Sequence, residues 1–338
     1  MSHKSIKIGF QVDNPASFNL KSDTSYALMK ALKIRGYEVF YYQPQHLRYD
    51  QGSIVAKCKQ FGVFNNNENW SDYNFAGQVP NNINHFGLLQ DFIDVDLQSF
   101  NTVFIRQNPP FDMAYITSTY LLDIIKLRGV RILNDSTSIR NFSEKICPLE
   151  FSQFMPKTLI TSDFDAAKNF HNNLASKMIL KPLYGHGGDG VFCFDLNDKN
   201  LFPAFDLLTK SSGGLPIICQ QYVDGIETIG DKRIFLINGE LLFVFARTQA
   251  PQMNVASSVR GGGFKICKLT DEETEIVSQV GARCKSVGLN IVGLDVIGGK
   301  YLTEINVTSP TGVLYAQNLY NQDFTTKIVD SFCFANVA

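Results

Sequence analysis

Three side chains near the C-terminal end of the chain have the types and spacing of a small cation site. Asp295, Glu304 and Asn306 lie within DVIGGKYLTEINVTSPT, residues Asp295 to Thr311. The segments on either side of Gly298-Gly299 alternate and carry β-branched residues, which predicts two antiparallel strands joined by a two-residue turn. In that pairing Asp295 stands a few residues before the turn, while the i, i+2 spacing of Glu304 and Asn306 puts them on one face. Hard oxygen donors in so small a number are what Mg²⁺ uses when phosphate and water complete its shell. The same residues would also suit a solvated, charged hairpin face. Other segments must decide.

Two of those segments offer an anion cradle and positive charge. LKPLYGHGGDGV, Leu180 to Val191, carries Gly185, Gly187 and Gly190 in a GxGxxG spacing. The residues that follow, VFCFDL, are rich in strand formers, so the loop joins strand to strand and does not open the helix of a dinucleotide fold. A kinase loop is excluded as well, because Lys181 precedes the glycines and no HRD or DFG set is present. What remains is a glycine-rich hairpin whose N–H groups can approach phosphate, with Lys181 at its base, or else a plain turn. Arg233 opens RIFLINGELLFVFAR, which turns at Asn238-Gly239 and ends in Arg247. An antiparallel hairpin of that length returns Arg247 close to Arg233. Paired guanidinium groups suit an acyl phosphate or a tetrahedral anion, although either arginine alone is as well explained by an ion pair. Thr248 to Gly263, TQAPQMNVASSVRGGG, is about fifteen residues without periodicity and reads as a lid or a disordered loop.

In order along the chain, Lys145, Lys181, the glycine loop, Arg233, Arg247, the long loop and the Asp295/Glu304/Asn306 hairpin resemble the ATP-grasp ligases, and among them the bacterial glutathione synthetases. The likeness covers nearly the whole chain. KIGFQVDN and KSDTSYALMKAL resemble the family's first strand, loop and helix, RQNPPFD its RKDPPFD, and LNDSTSIRNFSEK its segment ending in the first nucleotide lysine. LKPLYGHGGDGVF, GDKRIFLINGE and GLDVIG with LTEINVTSPTG are close to the family motifs.

The resemblance implies an α/β, ATP-grasp fold of three subdomains: an N-terminal parallel-sheet domain over residues 1–130, a small central lid lobe over 131–212, and a C-terminal antiparallel-sheet catalytic lobe over 213–338. It implies ligation of γ-glutamylcysteine to glycine with ATP, through an acyl phosphate. Lys145, Lys181, Gly187 and Gly188 would hold nucleotide phosphates. Gln220, Gln221, Tyr222 and Val223 would form the adenine hinge, largely through backbone, and Asp231 would reach the ribose. Asp295, Glu304 and Asn306 would hold magnesium, or manganese in its place, with Asn306 also near the nucleotide. Arg233 and Arg247 would steady the transferred phosphoryl group. On this reading Asp295→Asn or Glu304→Gln stops turnover with little loss of fold. A homotetramer is implied by the resemblance alone.

Departures from the family pattern cluster on the acceptor side. The long loop's R-x-N-x-x-x-G-G pattern has Val255 and Ser257 at its Arg and Asn places, with Arg260 next to the glycines. An Arg-Glu pair after TSPT is replaced by Leu314-Tyr315, and RKDPPFD has lost one charge of each sign at Gln107 and Asn108. A related ligase with a different γ-glutamyl or amino-acid substrate, or a nucleotide-binding homologue without activity, are the alternatives.

Composition agrees with a two- or three-lobed α/β protein: 338 residues, 44% of them apolar, and a formal charge of −1. Near-neutral charge removes any electrostatic case for nucleic acid or a membrane surface. No apolar run is long enough for a membrane helix, and MSHKSIKIGF is expected to enter a strand without a leader. The seven cysteines are scattered, odd in number and without CxxC, as expected of reduced thiols in a cytoplasm. The five histidines show no ligand spacing, and His186 sits in the glycine loop. Strand and helix alternate up to about residue 130, interrupted by an Asn-rich stretch (FNNNENWSDYNF, NNINHF) that reads as an extended loop, and this βαβ order predicts a parallel sheet. TDEETEIVSQVGARCKS has the capping box Thr270/Glu273 of a helix. The tail from Val313 has helical spacing and is expected to pack over the catalytic lobe.

Overall fold

The computed structural model describes residues 5–62, 91–185, 189–224, 230–248, 263–332 and 334. The first sheet is built from β1 (Lys7–Gln11), β2 (Glu38–Tyr42), β3 (Leu47–Asp50), β4 (Ser53–Gln60), β5 (Ile93–Asp96), β6 (Thr102–Ile105) and β7 (Arg131–Leu133). Its order is β3-β4-β2-β1-β6-β7, with β5 on β4. The strands β2, β1, β6 and β7 run parallel, as the βαβ pattern predicts. Two crossover helices make this possible: α1 (Thr24–Ile34) joins β1 to β2, and α2 (Met113–Lys126) joins β6 to β7. Each starts on an aspartate cap, Asp23 accepting from the Tyr26 N–H at 2.7 Å and Asp112 from the Tyr115 N–H at 2.9 Å. The Asn-rich stretch lies outside the described residues.

After the short helix α3 (Ser136–Asn141) and a 3-10 segment (Cys147–Phe154), the chain forms a smaller unit. Its strands are β8 (Thr158–Thr161), β9 (Met178–Pro182), β10 (Phe192–Phe194) and β11 (Ile217–Gln221), covered by α4 (Phe164–Asn172) and α5 (Leu201–Ser211). They pair antiparallel in the order β10-β9-β11-β8, so the glycine loop does join strand to strand. The third sheet holds β12 (Asp231–Ile237), β13 (Glu240–Arg247), β14 (Phe264–Ile266), β15 (Ile291–Ile297) and β16 (Tyr301–Asn306), in the order β14-β13-β12-β15-β16. Helix α6 (Asp271–Ser286) lies against it and opens on the expected Thr270/Glu273 capping box. The tail forms α7 (Val313–Tyr320) and α8 (Phe324–Asp330), and Phe324 of α8 meets Phe243 at a centroid distance of 5.0 Å.

Two points of register differ from the pattern read in the sequence. β7 lies past residue 130 and β11 past residue 212, yet each pairs in the sheet that precedes those positions. The glycines there, Gly129 and Gly213-Gly214, have positive φ and only return the chain from a helix to its sheet. The β15–β16 connection also has three residues between the paired Ile297 and Tyr301, and a bulge after Asp295 absorbs the extra one. The Asn238-Gly239 turn has two, with both residues at positive φ.

Core packing divides the molecule unevenly. Phe10, Leu28 and Phe104 of the first sheet and its helix share one apolar cluster with Phe235 and Phe243 of the third and Ile328 of α8. A second cluster joins Tyr42, Ile105 and Leu122 to Ile234, Ile276 and Leu294. The small sheet has its own core of Met178, Leu180, Phe194, Phe205, Leu208 and Cys219. First and third sheets are therefore fused through continuous apolar burial, whereas the glycine-loop lobe is held chiefly by itself.

Candidate active site

β12 places alternate side chains on opposite faces. Lys232 points to α6, where its Nζ lies 2.6 Å from Glu273 Oε2, both groups buried. Asp231 and Arg233 point the other way, and the ladder brings them their partners. Arg233 stands directly opposite Asp295 on β15, Asp231 opposite Arg247 on β13, and Asp295 opposite Glu304 on β16. The result is a buried charge row. Arg233 Nε is 2.7 Å and Arg247 Nη2 3.1 Å from Asp295 Oδ1, and Arg247 Nη2 is also 2.7 Å from Asp231 Oδ1. The two arginines thus converge as the hairpin reading required, and each is in an ion pair, as the competing reading had it. The Nε of Arg247 is buried with no hydrogen-bond partner among the described residues.

Glu304 receives its cation from a distant segment. Lys145 Nζ lies 3.0 Å from Glu304 Oε1 and donates to the carbonyl of Gly185, tying the base of the glycine loop to the hairpin. Beside Asp295, the Asn306 amide nitrogen is 3.5 Å from Oδ2 and 3.2 Å from the Gly293 carbonyl. Lys181 on β9 donates to Gln220 Oε1 at 3.1 Å, and Gln220 in turn donates to Thr158. The N–H groups of Gln221 and Tyr222 are committed to the carbonyls of Lys157 and Lys177, and Val223 sits against Gly298. Gly187, Gly188, His186, Val255, Ser257 and Arg260 lie outside the described residues. The base of the long loop is described: Thr248 N–H donates to the Gly263 carbonyl at 2.9 Å, and Gly263 N–H to Thr248 Oγ1 at 2.8 Å.

The electrostatics follow from burial set against partners. Burial alone would raise Asp295, but Arg233 and Arg247 hold it well below the usual carboxylate range. Glu304 goes the other way: burial raises it more than Lys145 lowers it, and the nearby Asp295 charge adds to the rise. Asp231 is raised by burial against the pull of Arg247. Lys181 is lowered to about 8 by burial, with Glu304 opposing.

Two contributors escaped the sequence reading. Glu144, the residue before Lys145, accepts from Thr308 Oγ1 at 2.7 Å and from the N–H groups of Val307 and Thr308, while its carbonyl accepts from Ile305 N–H. It fastens the Lys145 segment to the end of the carboxylate hairpin. Lys232 and Glu273 are the other pair; strand alternation in Asp231-Lys232-Arg233 and the capping box together could have located them. Leu314 and Tyr315 lie in the first turn of α7, where the Tyr315 ring stacks on Phe264, the residue after the long loop's described end at Gly263, at 4.4 Å.

Comparison with known proteins fits this geometry. Residues 6–140 match the N-terminal domain of prokaryotic glutathione synthetase, and residues 144–321 match its ATP-grasp domain. This chain belongs to the prokaryotic glutathione synthetase family. The glutathione synthetase of Agrobacterium fabrum is 36% identical over 327 residues, covering 96% of this chain and 95% of that protein. That of Bradyrhizobium diazoefficiens is 36% identical over 326 residues, covering 96% and 97%. Among solved structures, the D-cycloserine synthetase DcsG has a TM-score of 0.65 at 12% identity, covering 96% of this chain and 98% of its own. The ATP-grasp ligase PsnB, in a complex described with minimal precursor, Mg and ADP, scores 0.59 at 14% identity, covering 96% of each chain. These likenesses carry the fold, which is ATP-grasp, and family membership carries the class: an ATP-dependent ligase that forms a carbon–nitrogen bond. Among the described residues no helix is long and apolar enough to cross a membrane.

Proposed function

We propose that this chain joins γ-glutamylcysteine to glycine at the expense of ATP, yielding glutathione, ADP and phosphate, and that the buried charge row is where the phosphoryl group is transferred. The observation that carries the assignment is the convergence of Arg233, Arg247 and Lys145 on Asp295, Asp231 and Glu304, with the Arg247 Nε left unpaired. A carboxylate is a poor electrophile; once its oxygen carries the γ-phosphoryl group of ATP, that oxygen can leave as phosphate. The glycine amine then attacks the acyl carbon, loses a proton, and the C–N bond replaces the C–O bond. No side chain has to act as a nucleophile.

The residues have separate roles in this scheme. Lys145 and Lys181 receive nucleotide phosphates, together with backbone of the Gly187-Gly188 loop. Gln220, Gln221, Tyr222 and Val223 border the adenine, and Asp231 faces the ribose side. Arg247 Nε and Arg233 donate to the oxygens of the transferred group, where fixed donors need no reorganisation. Asp295, Glu304 and Asn306 suit Mg²⁺, with Mn²⁺ as a substitute, because opposed carboxylates on adjacent strands beside an amide form a small hard-oxygen set. Bound there, the metal would neutralise charge on the phosphate oxygens.

The test uses purified protein with ATP and Mg²⁺. Phosphate release that requires both γ-glutamylcysteine and glycine supports the reading; nucleotide binding without turnover across carboxylate acceptors refutes it. A homotetramer and a cytoplasmic location belong to the same reading, and sedimentation of the purified protein checks the former.

A further inference from the structure

β16 carries Glu304 and Asn306 and is the last strand of the third sheet, so among the described residues its outer edge has no partner strand. Such an edge turns alternate N–H groups away from the sheet. Here they belong to Ile305 and, just past the strand, to Val307, on either side of Asn306. Both residues have 0% exposure, so each N–H must find an acceptor within the protein. Glu144 supplies both. Its carbonyl accepts from Ile305 N–H at 2.9 Å, and its Oε1 accepts from Val307 N–H at 3.3 Å, Thr308 N–H at 3.2 Å and Thr308 Oγ1 at 2.7 Å.

The segment that presents Glu144 is itself fixed. Ile146 and Cys147 N–H groups close a turn on the Ser143 carbonyl at 3.1 and 2.8 Å. Phe142, Cys147 and Phe151, on either side of that turn, are buried in the cluster that holds Leu294, Ile305 and Val307. One residue therefore stands where a sixth strand would, and its two kinds of contact act at different places. The bond from Ile305 uses only the Glu144 backbone, and it keeps the following Lys145 beside Glu304, 3.0 Å away. The carboxylate acts at Val307 and Thr308, where the chain leaves the sheet. There the Val307 carbonyl is taken by Asn134 Nδ2 at 2.7 Å, so both polar backbone groups of Val307 are held. Asn306 makes only long side-chain contacts of its own, 3.2 Å to the Gly293 carbonyl and 3.5 Å to Asp295 Oδ2. Its place is set by the backbone on its two sides.

We propose that Glu144 is a positioning residue for the metal: by holding the chain on both sides of Asn306, it keeps that amide and the Glu304 carboxylate where one small cation can take both. The proposal rests on the ligase reading above, in which Glu304 and Asn306 hold magnesium. Glu144 acts through the strand and is not itself a ligand. Mg²⁺ demands near-ideal geometry at short distances, so slack at the strand end weakens it sharply. Groups that orient a metal's ligands are each worth about ten- to hundredfold in metal affinity. A single oxygen that accepts from three donors also suits a carboxylate, the stronger acceptor.

The experiment measures ADP binding to the full chain by calorimetry, in EDTA and across a Mg²⁺ series, and so needs no turnover. Wild-type protein should bind ADP more tightly as Mg²⁺ is added. Glu144→Leu should need about tenfold more Mg²⁺ for half of that gain. Its ADP affinity in EDTA should stay within about twofold of wild type, because the backbone bond from Ile305 still keeps Lys145 in place. Glu144→Gln keeps an acceptor oxygen and should stay within about threefold of the wild-type Mg²⁺ requirement. Thr308→Val removes the shortest of the three contacts and should raise that requirement by about threefold, and adding it to Glu144→Leu should cost nothing further. An unchanged Mg²⁺ requirement in Glu144→Leu, or an equal loss in EDTA, would reduce Glu144 to a structural support. A loss in Glu144→Gln as large as in Glu144→Leu would mean that the charge itself acts as a ligand. Either result overturns the proposal. Should Glu144→Leu not fold, Thr308→Val decides, since an unchanged Mg²⁺ requirement there also overturns it. Wild-type ADP affinity that ignores Mg²⁺ overturns it as well, whereas a Mg²⁺ response without turnover of γ-glutamylcysteine and glycine removes the ligase reading alone.

Discussion

Asp295→Asn and Glu304→Gln should both stop turnover but should have unequal structural consequences. Asp295 is the shared carboxylate of Arg233 and Arg247; Asp295 and Arg233 are buried and Arg247 is largely so. Removing one partner of a buried ion cluster leaves uncompensated charge and costs about 3–5 kcal/mol. Asp231 remains to hold Arg247, so the loss falls chiefly on Arg233, whose other partner among the described residues is the Thr311 carbonyl at 3.4 Å. At ~2 °C per kcal/mol for a chain of this size, Tm of the ligand-free protein should fall by roughly 6–10 °C. Glu304 is the reverse case, because burial raises its pKa and so disfavours the charge that the substitution removes. Glutamine keeps an oxygen that accepts from Lys145, so the loss of stability should be smaller than for Asp295→Asn, about 1 kcal/mol. Turnover should fall by about a hundredfold or more in both variants, since on the proposed reading each removes a metal ligand. The assay is a thermal melt without nucleotide beside steady-state phosphate release. An unchanged Tm in Asp295→Asn would show that the charge row carries no stability, and an unchanged kcat in either variant would show that the carboxylates do not hold the metal.

Three further outcomes follow from the same geometry. The folded pKa of Lys181 is about 8 against an ordinary 10.5, so between those values the unfolded chain binds more protons and the penalty for burying Lys181 fades as pH rises. Nucleotide phosphates should restore the proton, and calorimetry in two buffers above pH 8 should show proton uptake on ATP binding and weaker affinity with rising pH; no buffer dependence would remove Lys181 from the phosphate site. Gly281→Ala should cost about 1–3 kcal/mol, because a Cβ there would meet the Gly239 carbonyl oxygen across the contact of α6 with the β12–β13 turn; a Tm equal to wild type would show that the helix shifts freely. Lys232→Met should destabilise by about 3–5 kcal/mol by stranding buried Glu273, and adding Glu273→Leu should recover most of that. A double variant no more stable than the single one would contradict the pairing.

Much of the site was legible because strand register converts spacing into proximity. The turn at Asn238-Gly239 brings Arg247 back beside Arg233 and the Gly298-Gly299 region brings Asp295 near Glu304, as read from the sequence, while the bulges that set the partners at Asp231–Arg247 and Asp295–Glu304 left no mark in the spacing. Contacts between segments far apart in the chain were not legible. Nothing local in NFSEK shows that Glu144 fastens onto Thr308, or that Arg106 crosses 204 positions to reach Pro310. The expectation that Asp295 could be neutralised with little loss of fold failed to foresee its two arginines for the same reason: their pairing depends on how β12, β13 and β15 stack side by side. The lobe bounds at 130 and 212 come from the order of strands and helices along the chain, which does not show that β7 and β11 pair back into the preceding sheets.

The free site explains how so much charge survives burial before any nucleotide arrives. Among the described residues Arg233, Arg247 and Lys145 face Asp231, Asp295 and Glu304, and Lys181 is lowered chiefly by burial, with the nearby carboxylates opposing. On the proposed reading, the arginines would trade carboxylate for phosphate and Glu304 would trade Lys145 for the metal, so no charge would be left bare. That exchange would need Lys145 and Gly185 to move relative to the hairpin. The packing permits it, because the loop's lobe has its own core while the carboxylate hairpin is fused to the first sheet. The Lys145 bridge from Gly185 to Glu304 spans that division, so on the proposed reading breaking it would loosen the lobe and free the Glu304 carboxylate for the metal in a single event.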